Sequence, residues 1–271
     1  MTDLTQPAAP TPIPETNTTR LPSVLALLAA QISYQARLLA KGRAIVIGVG
    51  LPVILLISSA SHGHASALSV ASRATFGLTL TAWNTYGIRL VAAREAGILK
   101  RWKATPLPRW AYFLARIVAT TLVAVAAGAA TVAVGALLYN TPITALGALD
   151  LVIVFILGSA AWAATATAVT SVIPTVDAAG GIMILIYFPV IIVSGVIGQI
   201  TEPHWLSTLA RYLPAQPLIN GAASALHHRA GPLPAHDVLV LAGWTIGGLI
   251  AAVALFRWEP HRAQRRPTRA R

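Results

Sequence analysis

The sequence predicts an all-α polytopic membrane protein, and three observations carry that prediction. First, the chain is 56% hydrophobic and only 10% charged, with a mean hydropathy of +0.69. A soluble domain holds about 25% charged residues. Second, the apolar residues fall into stretches close to the roughly 20 residues that cross a bilayer as a helix. Third, the basic residues gather between alternate stretches. The composition excludes a disordered chain, which needs low hydrophobicity. The absence of cysteine excludes disulfides, Cys-ligated zinc, iron–sulfur clusters and thiol catalysis. The net charge of +12 would point to nucleic acid in a soluble protein. In so apolar a chain it points instead to orientation in a membrane.

Residues 1–21 are polar and proline-rich, and read as a disordered cytoplasmic leader without a signal peptide. Residues 22–43 follow as an amphipathic helix. Val24, Leu25, Leu28, Ile32, Leu38 and Leu39 share one face, and Gln31, Gln35, Arg37 and Lys41 fill the other. That pattern suits a helix lying in the cytoplasmic interface. The transmembrane domain, 44–256, holds six expected spans: 44–61, 68–88, 117–139, 149–172, 179–200 and 238–256. Pro52 should kink the first. Arg73, Trp83 and Asn84 interrupt the second, which makes it the least apolar. The fifth begins at Gly180-Gly181 and contains Pro189. Between the last two spans, 204–213 and 217–228 have helical apolar spacing but are too short to cross. They read as interfacial or re-entrant helices, which need protein or a polar cavity around them. Residues 257–271 form a basic cytoplasmic tail that suits anionic lipid headgroups.

Seventeen of the twenty Lys and Arg lie before span one, between spans two and three, or after span six. Only Arg73, Arg211 and Arg229 fall on the other side. The positive-inside rule therefore places both termini in the cytoplasm, and six spans satisfy that parity. The loop between spans four and five should also be cytoplasmic. It carries Asp177 and no cation of its own.

A search for chemistry leaves little. Only three lysines occur and none completes a phosphate-binding Gly-x-x-x-x-Gly-Lys loop. The pairs Gly180-Gly181 and Gly247-Gly248 read as close helix packing. Ser194-Gly195 lacks the glycine that would precede a protease serine by two residues, since Ile192 stands there. It reads as a small residue at a helix contact. His62, His64, His204, His227, His228 and His236 fall on the outer side as solvated loop histidines. Asp150, Arg73 and Asp177 sit at span ends, at headgroup level. Asn84 is the best buried polar candidate within a span.

The richest segment is Arg94–Pro108, REAGILKRWKATPLP. It reads as a short amphipathic cytoplasmic helix with Glu95 near its start, where the helix dipole favours a carboxylate. Ile98, Leu99 and Trp102 form an apolar patch. Lys100, Arg101 and Lys103 surround it. Thr105-Pro106 and Pro108 stop the helix. An apolar knob ringed by charge can dock into a groove on another protein.

These residues resemble the signature of type-2 ABC transporter permeases, approximately E-R-E-x-G-T-L-x-x-L-x-x-T-P. Glu95, Gly97, Leu99, Thr105 and Pro106 match it. Ile98 and Trp102 depart from it, where Thr and Leu are usual. LKRWKATPLP is most similar to the daunorubicin-resistance group. A second ordered match runs through Pro174, Asp177-Ala178, Phe188-Pro189, Ser194-Gly195, Pro203, Trp205-Leu206, Pro214 and Pro217-Leu218. The interfacial helix and Pro52 fit as well, so the resemblance covers about 20–257.

The resemblance implies a non-catalytic permease subunit in a bacterial plasma membrane. It would pair with a second permease copy or paralogue and with two separate ABC ATPase subunits. ATP and Mg would bind those partners, so this chain carries no cofactor or metal and binds no nucleic acid. Arg94, Glu95, Gly97, Leu99, Trp102, Thr105 and Pro106 would form the ATPase-coupling region. In the family, spans two and five line the dimer interface and export path, which makes Asn84, Tyr86, Phe188 and Ser194 candidate path residues by position. A path almost free of charge suits an apolar or amphipathic cargo, drug-like or lipid-like. Arg-over-Lys and Ala usage is that of high-GC bacterial genomes, where drug or lipid export is common. A polysaccharide or glycolipid exporter is the neighbouring alternative. An ion-coupled carrier would need acidic residues at mid-membrane, and a membrane enzyme would need a convergent catalytic set. Neither is evident.

Overall fold

A computed structural model describes residues 24–40, 43–61, 66–98, 109–140, 143–197, 203–227 and 233–255. All regular structure among them is helical. Helix α1 is Val24–Ala40 and α2 is Arg43–Ser61. Then α3 (Ala67–Thr79), a π-helical turn (Leu80–Thr85) and α4 (Tyr86–Glu95) follow without a break. Helices α5 (Arg109–Tyr139), α6 (Ala145–Thr170) and α7 (Val176–Val193) come next. Two short helices, α8 (His204–Ala210) and α9 (Ala215–Leu226), precede α10 (Ala235–Leu255). Side-chain oxygens cap three of the starts: Ser66, Thr144 and Thr175 accept from the backbone N–H three residues on.

Four helical stretches are long and apolar enough to cross a membrane: Phe113–Tyr139, Ala145–Thr170, Val176–Val193 and Ala235–Leu255. The apolar part of α2, Val46–Ser59, is shorter. The fifth span, expected to reach 200, ends at Val193, because Gly195 turns the chain with φ +73°. The third starts earlier than expected, at Arg109.

The α3–π–α4 segment forms the middle of the bundle. Val70, Ala71, Ala74, Leu78, Ala82, Trp83, Tyr86 and Leu90 are all buried. The π turn falls where Trp83 and Asn84 interrupt the apolar run. Beside it, the Thr79 hydroxyl donates to the Thr75 carbonyl and the Thr81 hydroxyl to the Gly77 carbonyl, at 2.8 and 2.9 Å. Such local insertions are favoured where hydroxyls serve the backbone. Trp83 Nε1–H donates to the Met183 carbonyl of α7 at 2.9 Å. The Trp83 ring meets Trp162 of α6 edge-on, and Trp162 meets Tyr187 of α7 in the same way. Edge-to-face aromatic pairs add about 0.5–1.5 kcal/mol each beyond their buried area. The interrupted helix is thus tied to both neighbours by its interrupting residue.

Helix α9 is buried against α6 and α3, with Leu218, Ile219 and Ala222 in the core. Small residues permit this approach: Gly158 faces Leu218, and Gly221 faces Val154. Of the two glycine pairs expected to pack helices, Gly248 does so, against the backbone at Ala164 and Thr165 of α6. Gly180, Gly181 and Gly247 have no neighbour within 4 Å of an added Cβ among the described residues, which corrects that expectation there. Helix α7 turns an open face outward, with Leu185 72% and Phe188 43% exposed.

Pro52 has no N–H to give the Gly48 carbonyl one turn back. Gly77 of α3 packs directly onto that carbonyl, and Gly48 packs onto Thr81. A Gly77→Ala substitution puts a methyl group into the Gly48 backbone and Pro52, and should cost about 1–3 kcal/mol. Gly50→Ala meets open space and should be neutral. Thermal unfolding of the two variants in detergent checks the contrast.

Candidate functional site

The end of α4 brings together parts of the chain that are far apart in sequence. Arg94 is 2% exposed. Its Nη1 donates to the carbonyls of Thr170 and Ser171 at 3.0 and 3.2 Å, and its Nη2 donates to the carbonyl of Ile173. Those carbonyls close the C-terminus of α6, where the last turn of any helix leaves acceptors without partners and a partial negative charge. Burial pushes the Arg94 guanidinium below its ordinary value, and Glu95 partly offsets the shift. A guanidinium keeps its charge through such a change.

Glu95 makes the complementary contact. Its Oε2 accepts from the backbone N–H of Val176, the first residue of α7, at 2.9 Å. This corrects the sequence reading in one respect. Glu95 does not open a new helix; it closes α4, and the helix dipole it serves belongs to α7. Adjacent side chains of one helix end therefore hold the outgoing end of α6 and the incoming end of α7. The α6–α7 loop, which has no basic residue of its own, receives its cation from Arg94.

Immediately beyond, Gly97 takes φ +69°, and its N–H donates to the Arg94 carbonyl at 3.1 Å. This is a left-handed helix ending that glycine adopts freely. It directs the chain out of α4 toward the rest of the motif. Leu99, Trp102, Thr105 and Pro106, with the expected amphipathic coupling helix, lie outside the described residues.

The opposite end of the same segment carries a matching device. Arg73 of α3 donates to the Val196 and Ile197 carbonyls just past α7, at 3.2 and 3.4 Å, and to Ser59 Oγ of α2 at 3.4 Å.

The four path candidates do not form one site. Tyr86 is buried and its hydroxyl pairs with Thr167 Oγ1 of α6 at 2.8 Å. Asn84 is half-buried, and its Oδ1 has no partner. Phe188 lies on the open face of α7. Ser194 caps the far end of α7, buried, with Oγ unpartnered. Trp162 and Tyr187 were not singled out by sequence reasoning, though they lock the π turn. An aromatic within a charge-free apolar run gives no signal of its own. Among the described histidines, His204 contacts Ser207 and His236 contacts Asp237, each a local pairing.

A bundle of apolar helices whose ends are fixed by one buried and one half-buried arginine defines a membrane-embedded helical subunit, with no enzymatic constellation among the described residues. The comparison with protein families makes this specific. Residues 66–258 match the model described as ABC-2 family transporter protein. The chain belongs to that family: it is a membrane protein and an ABC-type permease, the transport subunit of such systems. No curated protein matches it significantly.

Replacing Arg94 with Met removes three donors from buried carbonyls and should lower stability on the order of 2–3 kcal/mol. Arg94→Lys, a point charge without the planar fork, should recover only part of it. The unfolding midpoints of both variants in detergent test this.

Proposed function

We propose that this chain is the permease subunit of an ATP-driven exporter that moves an apolar or amphipathic molecule, drug-like or lipid-like, out of the cytoplasm or inner leaflet. ATP and Mg bind two copies of a separate ABC ATPase subunit, and a second permease copy completes the transporter. The observation that carries this reading is the double clamp of Arg94 and Glu95. The family motif continues from Glu95 into the segment proposed to meet the ATPase. Glu95 also holds the start of α7, whose open face bears Gly180, Gly181, Leu185 and Phe188. A push on the 97–106 segment would reach α7 through the Glu95–Val176 contact and the end of α6 through the buried Arg94 contacts. In this scheme Arg94 and Glu95 transmit force, and Leu99, Trp102, Thr105 and Pro106 make the contact with the partner.

Six spans fit this scheme, with α2 as the first and the α3–π–α4 segment as the second. The clamps at Arg73 and Arg94 are 21 residues apart, or about 30 Å along a helix. That is the thickness of a bilayer's hydrocarbon core. Both ends of α7 meet this one segment, so the two run antiparallel over a similar height. The reading places both termini and the 97–106 segment in the cytoplasm of a bacterial cell. Asn84 and Phe188 remain the path candidates favoured by position, since one is a half-buried amide without a partner and the other is open.

The scheme separates two kinds of variant. Trp102→Ala should lose ATPase association in pull-downs. Glu95→Gln should keep association and ATP hydrolysis while transport falls about tenfold. Full association of a Glu95→Ala, Trp102→Ala double variant would remove the motif from the partner interface. Unchanged transport by Asn84→Leu and Phe188→Ala would remove those residues from the path.

A further inference from the structure

A cavity of about 600 Å³, open on one side, lies between α1, α4 and α5. Arg89 of α4 and Arg116 of α5 both line it, and none of its described lining residues is acidic. The two like charges repel across it. Arg89 Nη1 donates to the Leu38 carbonyl at the end of α1 at 2.9 Å, which uses one of five guanidinium donors. Arg116 lies over the Tyr86 ring, 5.7 Å from its centre. Two further lining residues hold buried polar atoms with no partner: Gln31 Nε2 on α1 and Thr120 Oγ1 on α5. Gln31 is 7% and Thr120 1% exposed. Buried donors are almost always satisfied in folded proteins, and an orphan costs roughly 1–3 kcal/mol. Three helices thus contribute cationic and donor groups to one space with no acidic residue among its described lining.

Apart from Tyr34 and Gln35, the remaining wall is apolar, with Leu38, Leu39, Ala92, Ala93 and Ile98. Leu38 and Ile98 are also 50% and 42% exposed, so the apolar wall continues onto the surface. A small inorganic anion would use the donors and leave this wall bare. An amphiphile would use both.

We infer that this cavity binds the phosphate headgroup of an anionic phospholipid, with its acyl chains leaving over Leu38 and Ile98. Arg89, Arg116, Gln31 and Thr120 hold the phosphodiester oxygens. The lipid joins α1 to the bundle at the end where α4 meets the α6–α7 loop. It is a resident ligand rather than cargo, and the site stands whether or not the chain exports lipid.

The test uses the full chain purified in detergent, titrated with phosphatidylglycerol, phosphatidylcholine or inorganic phosphate. Native mass spectrometry counts the lipid retained, and thermal unfolding reads protection. Phosphatidylglycerol should be retained at one per chain and should raise the midpoint, with phosphatidylcholine weaker. Arg89→Gln should weaken retention about tenfold, the loss of one charge-assisted contact. Arg211→Gln, which removes an exposed charge elsewhere, should not. Thr120→Val keeps the shape and removes an orphan hydroxyl. It should be at least as stable as the native chain without lipid, yet gain less from phosphatidylglycerol. Equal retention by native chain and Arg89→Gln would overturn the assignment, as would equal protection by phosphatidylcholine. Full protection by inorganic phosphate would overturn the lipid source.

Discussion

The end of the bundle where α4, α6 and α7 meet depends on one buried guanidinium. Helix α6 ends and α7 begins within a few residues, so acceptor groups from one helix crowd beside donor groups from the next. The carbonyls at the end of α6 are buried, and an unmatched helix end in an apolar setting is expensive. Arg94 supplies the donors for α6, and Glu95 supplies the acceptor for α7. The two side chains are neighbours on α4, so neither helix end can shift without disturbing the other. Arg73 repeats the principle at the far end, where it serves carbonyls beyond α7 and a hydroxyl of α2.

This arrangement explains why so polar a helix can occupy the middle of the molecule. The α3–π–α4 segment has the poorest apolar run of the six expected spans. Its arginines near the two ends donate to backbone carbonyls, and its threonines bond back to their own backbone. Its tryptophan donates to a carbonyl of α7. Each polar group that weakens the segment as a free-standing helix is a fastening point once the neighbours are present. Membrane helices have little hydrophobic drive to associate with one another, so such bonds and close glycine contacts must do the joining.

That dependence sets what could be read from the sequence. Most elements were legible, because apolar stretches bounded by charge or proline define helices locally. The motif was legible as well, since Glu95, Gly97, Thr105 and Pro106 stand at fixed spacings. The partners of the motif were not. Arg94 and Thr170 are 76 residues apart, and Glu95 and Val176 are 81 apart. Nothing local marks a carbonyl as the one that will need a guanidinium. Glu95 was read against the nearest dipole in sequence, and the dipole it serves belongs to another helix. Arg89 and Arg116 were legible only as positive charges on one side. Their convergence on a cavity depends on how α1 lies across α4 and α5.

The open glycines of α7 follow from the same economy of contacts. Among the described residues nothing lies within 4 Å of a Cβ added at Gly180 or Gly181, although glycine is a poor helix former at about 1 kcal/mol below alanine. Two of them in succession weaken α7 without a close packing contact among the described residues. They lie a turn beyond Val176, where Glu95 fixes the start of the helix. A helix held firmly at its first residue, weakened one turn later, and open along its face can bend at that point. Movement of Glu95 would then tilt the rest of α7 rather than translate it. In the proposed transporter the clamp and the glycine pair would act as two halves of one hinge, and the second permease copy proposed against α7 would supply the surface on which the tilt acts.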